Sequence, residues 1–150
     1  MDLGSQARAV IPTVISQIAS GASEIFIGDT SPTRDFTYVL DTCRGMVALA
    51  ECDSAVGQVV NIGSNQEISI GDLFNKIQKL MKSDAVLKID QQRVRPEKSE
   101  VQRLWCDNSR MQKLTNFKPE TLFDEGLKLT INWFLNPENL KKYKPEIFNV

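Results

Sequence analysis

The chain has 150 residues, of which 41% are hydrophobic and 25% are charged, a composition typical of one soluble globular domain. Its formal net charge of -1 gives no net attraction to nucleic acid or to an acidic membrane. No apolar run approaches the roughly 20 residues that a transmembrane helix needs, and the N-terminus has no signal-peptide pattern. Three cysteines without C-x-x-C spacing, and no histidine, predict reduced thiols, no zinc site and a cytoplasmic location.

In chain order, hydrophobic periodicity and turn residues predict short strands between helices. Helices are predicted from Ala9 to Ser20, from a cap at Asp41 to about Cys52, from Ser69 to about Lys82, from a cap at Asp107 towards Leu114, and from 121–124 onwards. Strands are predicted at Glu24–Ile27, Arg34–Val39, Gly57–Ile62 and Val86–Ile89.

Three of these helices have a predicted buried face. In the second helix, Val47 and Ala50 are among the positions expected to point inward. The third helix starts on a capping-box-like pair, Ser69 and Asp72, and has apolar residues at i, i+4, i+7 and i+8. Those residues are Leu73, Ile77, Leu80 and Met81. The last helix has an apolar face formed by Phe123, Leu127, Ile131 and Phe134.

The order of elements predicts a mixed, irregular α/β fold with short strands and about five helices, without a complete Rossmann fold. Residues 90–101 are polar and charged, so they are predicted to form a loop that could cover a ligand. Residues 1–135 are predicted to form one domain. Residues 136–150 have three lysines, two prolines and few apolar residues, and are predicted to be an extended C-terminal tail.

The segment around Arg34 carries a motif. Residues 28–41 read GDTSPTRDFTYVLD. They resemble the G-x-G-x-x-x-R-D-F-x-Y-V-x-D motif of extended short-chain dehydrogenases/reductases that act on nucleotide sugars. The second glycine of that motif is replaced by Thr30.

Four further segments resemble the same family, in the same order. They are Val60–Gly63, Arg95-Pro96 with Glu100-Val101, Asp107–Leu114 followed by Phe117–Pro119, and Leu122–Phe134. Asn116-Phe117 stands where the family usually has Gly-Trp. Gln6–Pro12 resembles the stretch after the family's Y-G-P-R turn, so the chain is expected to begin where the NAD-binding half has ended. Residues 136–140 with Tyr143-Lys144 resemble the end of the 4,6-dehydratase branch.

The resemblance implies the C-terminal, substrate-binding part of an NAD-dependent nucleotide-sugar epimerase or dehydratase, of the 4,6-dehydratase-like branch. In the complete family enzyme, NAD accepts a hydride from C4 of the sugar. A 4,6-dehydratase then eliminates water across C5–C6 and returns the hydride to C6. The expected ligand is a nucleotide-diphosphate sugar, whose base and sugar the sequence does not identify.

The resemblance also assigns substrate-binding positions. Arg34 matches the family arginine that contacts the diphosphate, and Arg95 matches a second nucleotide-contacting arginine. Glu100 matches an acidic position that can accept hydrogen bonds from the ribose hydroxyls. Val10 and Ile11 lie where relatives close over the base. A guanidinium suits a diphosphate because its planar fork donates two hydrogen bonds to phosphate oxygens.

The residues of the chain do not supply the family's catalytic parts. None of the eight glycines forms a G-x-G-x-x-G or G-x-x-G-x-x-G turn for a pyrophosphate. The family's tyrosine-lysine pair needs a lysine four residues after the tyrosine, but Thr42 follows Tyr38 and Ile147 follows Tyr143 at that distance. We therefore expect no NAD site, no metal site, no catalytic residue and no activity for the chain alone.

Simpler roles compete with these assignments. An arginine between a turn and a strand is usually a solvated residue, and only the surrounding motif favours a ligand for Arg34. An ordinary charged loop could contain Arg93, Arg95 and Arg103. Glu100 could be a surface residue or the partner of an arginine. Asp35 and Asp41 are expected to bind backbone groups rather than substrate.

The alternative function is a stand-alone, non-catalytic binding or interaction module, such as a gene fragment. It would self-associate, or pair with a Rossmann-domain chain, through an apolar surface. A fragment of a longer enzyme would differ from this alternative only in its origin.

Overall fold

The computed structural model describes residues 9–94 and 101–142. They form two compact units. The first contains the described residues up to Pro32, from Ser69 to Val101 and from Lys128 onwards. The second contains Thr33–Ile68 and Gln102–Leu127.

The described residues form six α-helices, one 3-10 turn and five short strands. In chain order these are α1 (Val10–Ala19), β1 (Glu24–Ile27), β2 (Thr33–Arg34), α2 (Val39–Ala50), the 3-10 turn Asp53–Ala55, β3 (Ile68–Ser69), α3 (Ile70–Met81), β4 (Val86–Ile89), β5 (Arg103–Leu104), α4 (Ser109–Thr115), α5 (Phe123–Leu135) and α6 (Pro137–Leu140). This mixed α/β arrangement with short strands confirms the predicted fold class.

The first unit is built around a two-stranded parallel sheet. β1 pairs with β4 over four residues, from Glu24 with Val86 to Ile27 with Ile89. Helices α1 and α3 supply most of its core, which contains the fully buried Val14, Ile15, Ile25, Leu73 and Ile77. The side chain of Gln17 fixes β1 beside α1, because it accepts from the Phe26 N–H at 2.9 Å and donates to the Phe26 carbonyl at 3.2 Å.

Helix α3 forms as its local sequence predicts. The Ser69 hydroxyl accepts from the Asp72 N–H at 3.0 Å and donates to the Asp72 carboxylate at 2.7 Å. This confirms the capping interaction, which satisfies an N–H that the helix itself leaves without a partner. At the other end, Lys82 adopts the left-handed conformation with φ 51°, which ends the helix.

The second unit has a different, smaller sheet. β2 lies between β3 and β5. β2 and β5 are parallel, with Thr33 opposite Arg103 and Arg34 opposite Leu104. Two of the predicted strands differ from this result. The predicted strand over 34–39 is shorter because α2 already begins at Val39, and the predicted strand over 57–62 has no ladder partner among the described residues.

Helix α2 also differs from its prediction. Asp41 does not cap it but lies in its first turn and is fully buried, whereas Val47 is 56% exposed and Ala50 is also exposed. The buried positions are Asp41 and Gly45, four residues apart. A β-carbon at Gly45 would lie 2.9 Å from the Ile62 side chain, so the face with Asp41 and Gly45 packs closely against the rest of the unit. Val47 and Ala50, which were predicted to be buried, therefore face solvent.

The last helices agree with the sequence more closely. Helix α4 begins one residue later than predicted, with Asn108 at its N-cap, while Asp107 accepts from the Ser109 N–H at 2.9 Å. Leu127, Ile131 and Phe134 are buried on α5, as predicted. Residues 137–140 form α6 inside the predicted tail, and the predicted boundary at 135 stays a prediction.

Candidate functional site

The second unit contains an open cleft of about 520 Å³. Its walls come from the end of β2, from α2, from the segment before Gly63 and from the segment after β5. The lining residues are Asp35, Thr42, Met46, Val60, Asn61, Ile62, Leu104, Trp105 and Cys106. Apolar walls with a few polar groups are typical of small-molecule sites, whose volumes are roughly 300–1,000 Å³.

Asp35 organises the backbone at this cleft. One carboxylate oxygen accepts from the Ser64 N–H at 3.0 Å and from the Ser64 hydroxyl at 2.5 Å. The other accepts from the N–H groups of Asn65 at 2.9 Å and Cys106 at 3.3 Å. One side chain therefore joins three segments that are distant in sequence, which confirms the backbone-binding role predicted for Asp35.

Gly63 lets two of these segments approach closely. A β-carbon at this position would overlap the side chain of Cys106 and would lie 3.3 Å from the Asp35 carboxylate. The Gly63 carbonyl also accepts from the buried Asn108 amide at 2.9 Å. The VNIG motif of the sequence therefore has a packing role here, because only a residue without a side chain fits against Cys106.

The electrostatic environment of the cleft is negative near Cys106. Burial, followed by the charges of Asp35 and Asp107, raises the pKa of the Cys106 thiol above its ordinary value. The thiol is therefore protonated and a weak nucleophile at neutral pH.

Beside the cleft, Arg103 lies over the ring of Trp105. The Arg103 guanidinium makes a bidentate pair with the Glu67 carboxylate, with distances of 2.7 Å from Nη2 and 2.9 Å from Nε. The Thr33 hydroxyl donates to the same carboxylate at 2.7 Å. The guanidinium carbon lies 5.2 Å from the centroid of the Trp105 ring, a cation–π distance. Arg103 therefore belongs to a structural network, as its ordinary-loop interpretation allowed.

Arg34, the predicted diphosphate ligand, lies on β2 directly before Asp35. Its side chain is partly buried, and Nη1 donates to the Thr33 carbonyl at 2.8 Å. Arg34 is not one of the residues that line the cleft. Its backbone is fixed on both sides, because Thr33 N–H donates to the Gln102 carbonyl at 2.8 Å and Asp35 N–H donates to the Leu104 carbonyl at 2.9 Å.

The other four predicted ligand residues belong to the first unit or lie outside the described residues. Val10 and Ile11 form the start of α1 in the first unit, where both are partly buried. Arg95 and Glu100 lie outside the described residues. The roles assigned to these four residues, and to Arg34, stay predictions.

Asp41 is a second buried carboxylate of the second unit. It accepts from the N–H groups of Glu120 at 3.3 Å and Thr121 at 3.0 Å, and it pairs with Arg44 at 3.1 Å. Burial raises the pKa of Asp41, but the hydrogen bonds from Thr121 and Glu120 and the charge of Arg44 outweigh it, so the pKa lies below its ordinary value. This carboxylate has a structural role, because its partners belong to the fold.

Sequence reasoning missed the cleft and its aromatic wall. Trp105, Thr42 and Met46 come from two segments that only the tertiary structure brings together.

The comparisons with known proteins identify the family. Residues 4–130 match the family model described as GDP-mannose 4,6 dehydratase. The chain belongs to this family. It is 31% identical over 132 residues to the UDP-N-acetyl-alpha-D-glucosaminuronate decarboxylase of Bacillus cytotoxicus, a match that covers 87% of the chain and 41% of that protein.

Solved structures of epimerases have the same fold. The epimerase Mth375 from Methanothermobacter thermautotrophicus matches with a TM-score of 0.81 and 30% identity, over 90% of this chain and 40% of that one. A point mutant of the UDP-glucuronic acid 4-epimerase of Bacillus cereus, in complex with NAD and UDP-4-deoxy-4-fluoro-glucuronic acid, matches with a TM-score of 0.74 and 25% identity, over 91% of this chain and 40% of that one. The chain therefore spans about two fifths of the length of these relatives.

NAD belongs to the complete enzymes of this family, and four glycines of the described residues are packed too closely to receive its pyrophosphate. A β-carbon at Gly28, Gly45, Gly63 or Gly126 would lie within 3.1 Å of the chain's own atoms, so these glycines serve internal packing rather than a pyrophosphate cradle. Among residues 9–94 and 101–142, no cluster of cysteine and carboxylate side chains could hold a metal ion. No helix in the same residues is both long and apolar enough to span a membrane.

Proposed function

We propose that this chain is the substrate-binding portion of an NAD-dependent nucleotide-sugar 4,6-dehydratase or epimerase, and that Arg34 positions the nucleotide diphosphate. The observation that carries the proposal is the place of Arg34. It lies in the family motif over residues 28–41, on a strand whose neighbouring backbone groups are held by hydrogen bonds.

The chemistry of a guanidinium supports this role. The group has five N–H donors in a planar fork, and Nη1 of Arg34 donates to the Thr33 carbonyl at 2.8 Å. A diphosphate offers several anionic oxygens to such a group. A hydrogen bond to a charged group contributes about 1.5–3 kcal/mol, which is roughly ten- to a hundredfold in affinity.

The chain would act in catalysis by positioning alone. Holding the diphosphate places the sugar beside reacting groups that a complete enzyme supplies, and correct positioning can remove several kcal/mol of the barrier. We assign no chemical step and no catalytic residue to this chain.

Calorimetric titration with UDP, GDP and dTDP and their sugars tests the proposal. We expect Arg34→Ala to weaken binding about tenfold or more, and Arg34→Lys to weaken it less, because lysine keeps the charge but loses the planar fork. Arg110→Ala is the matched control, since Arg110 is an exposed arginine of the same unit. The proposal is wrong if no nucleotide binds at millimolar concentration, or if both alanine variants lose affinity equally.

One observation favours the alternative function, a self-associating or partner-binding module. Helix α2 exposes several large apolar side chains, including Val39 at 61%, Leu40 at 50%, Met46 at 59% and Val47 at 56%. Several exposed apolar side chains on one helix are typical of interaction sites. Light scattering after size exclusion would test it, because a monomer at several hundred micromolar contradicts self-association.

A further inference from the structure

We propose that the outer edge of β4 is a docking site for an extended segment, and that residues 146–150 of the same chain occupy it as a third strand. The proposal goes beyond the proposed function, because it involves no nucleotide and no residue of the cleft. It starts from the sheet of the first unit, in which β4 pairs with β1 on one side only among the described residues.

The open backbone groups of β4 belong to Leu87 and Ile89. In the parallel ladder, the N–H groups of Val86 and Asp90 donate to carbonyls on the β1 side, each at 2.8 Å. Because alternate residues of a strand direct their backbone groups to opposite sides, those of Leu87 and Ile89 point away from β1. Within the described residues, no hydrogen bond reaches them on that side.

Other edge positions of the same sheet are covered by side chains. Gln17 bonds both backbone groups of Phe26 on the outer edge of β1. Just before β4, the Ala85 N–H donates to the Ser83 hydroxyl at 3.2 Å, and the Ala85 carbonyl accepts from the Gln78 amide at 2.8 Å. The row of backbone groups that follows Ala85 has no such cover in the described structure, and an open row of this kind is a template for an added strand.

Residues 146–150 have the composition of a strand that β4 already accepts. They read EIFNV, and β1, over Glu24–Ile27, reads EIFI. Isoleucine, phenylalanine and valine favour strands and form stabilising cross-strand pairs. Beside β4 they would cover Val86 and Ile89, which are 56% and 44% exposed.

Lys88 favours this segment over a second copy of β4. Its ammonium lies 3.5 Å from the Glu24 carboxylate, and both side chains are about half exposed. An antiparallel pair between two copies that used Leu87 and Ile89 of each would place Lys88 opposite Lys88, and like charges directly opposite are destabilising. A strand that contains Glu146 instead offers this lysine a second carboxylate.

The segment also belongs to the same compact unit as β4. A short tether within one unit gives an effective concentration of about millimolar, without any new contact. A five-residue strand that would bind weakly as a free peptide can therefore occupy the edge in the intact chain.

Amide hydrogen exchange, followed by NMR in the full chain, tests the proposal. The amides of Leu87 and Ile89 should exchange at least about tenfold faster when Ile147→Pro and Phe148→Pro are introduced together, because proline removes the backbone donors and strand conformation of the segment. Ile147→Val with Phe148→Tyr keeps the strand propensity and should leave exchange unchanged. Equal exchange of the Leu87 and Ile89 amides in the parent and in the proline variant would overturn the proposal.

The amides of Val86 and Asp90 are the internal control, because they donate to the β1 side and should stay protected in every variant. Protection of Leu87 and Ile89 should also be unchanged by dilution. Protection that is lost on dilution would assign the edge to a second copy, and would overturn the proposal.

A charge exchange tests the identity of the segment. Lys88→Glu should speed the exchange of Leu87 and Ile89, because the edge then repels Glu146. Adding Glu146→Lys should slow it again, whereas adding Glu138→Lys, on α6, should not. If Glu146→Lys gives no recovery, or if Glu138→Lys recovers as much, the assignment of residues 146–150 to this edge is wrong.

Discussion

Replacing Asp35 with alanine should destabilise the second unit strongly, because one carboxylate satisfies backbone donors from two other segments. The contacts to the Ser64 N–H and hydroxyl are short and partly buried, at 3.0 and 2.5 Å. The Asn65 contact is exposed and the Cys106 contact is long at 3.3 Å, so water replaces the first easily and the second contributes less. Two charged hydrogen bonds at roughly 1.5–3 kcal/mol each give an expected loss of about 3–6 kcal/mol.

Urea unfolding of Asp35→Ala, followed by Trp105 fluorescence in a Trp133→Phe background, measures this loss in the unit that contains Asp35. The midpoint should fall while the slope of the free energy with urea stays constant. Asp29→Ala is the matched control. Asp29 accepts local bonds from Ser31, at 2.9 Å each, in an exposed turn, so the loss for Asp29→Ala should stay below about 1 kcal/mol. A loss for Asp35→Ala no larger than that of the control would refute the reasoning.

Gly63→Ala should lower the free energy of unfolding in urea by about 1–3 kcal/mol, because the new β-carbon overlaps Cys106. Adding Cys106→Gly to the same chain should recover part of this loss. If the effects of the two substitutions simply add, this packing is contradicted. The pKa of Asp41 is lowered in the folded protein. Its contribution to the free energy of unfolding should therefore be complete above the unfolded pKa of about 3.9 and be lost as the pH falls through the lower folded pKa. The urea midpoint should therefore fall less steeply from pH 6 to 2.5 in Asp41→Asn than in the parent. Parallel curves of midpoint against pH would contradict a stabilising role for the ionised Asp41. Glu67→Gln breaks an exposed pair with Arg103, so the midpoint of thermal unfolding should shift only slightly, and the shift should be smaller still in 1 M salt.

The sequence predicts best those elements whose signals are local. Helix α3 begins at its capping pair and buries Leu73 and Ile77, because both the cap and the apolar spacing lie within twelve residues. β1 also forms where its β-favouring residues lie, and it pairs with β4 in a parallel ladder.

Elements that depend on distant partners are predicted less well. The β-branched run over 57–62 has strand propensity but no ladder partner among the described residues, and propensity alone does not form a strand. The inward face of α2 is set by Gly45 against Ile62 and by Asp41 against residues 120–121, contacts that no helical period reveals.

The same distinction applies to the candidate site. Asp35 was expected to bind backbone groups, since a short carboxylate beside turns usually does, and the structure confirms this. The cleft was not predicted, because its walls come from segments around residues 35, 42–46, 60–62 and 104–106. The motif identifies Arg34 only through the family, because an arginine on a two-residue strand has no ligand signal of its own.

The most direct measurement is an amide NMR titration of the chain with UDP, repeated with Arg34→Ala. If Arg34 positions the diphosphate, the amides of Thr33, Arg34 and Asp35 should shift in a saturable way, and the variant should need roughly tenfold more nucleotide for the same change. Unchanged amides at these three residues, or identical titration curves for the two proteins, would contradict the proposed function.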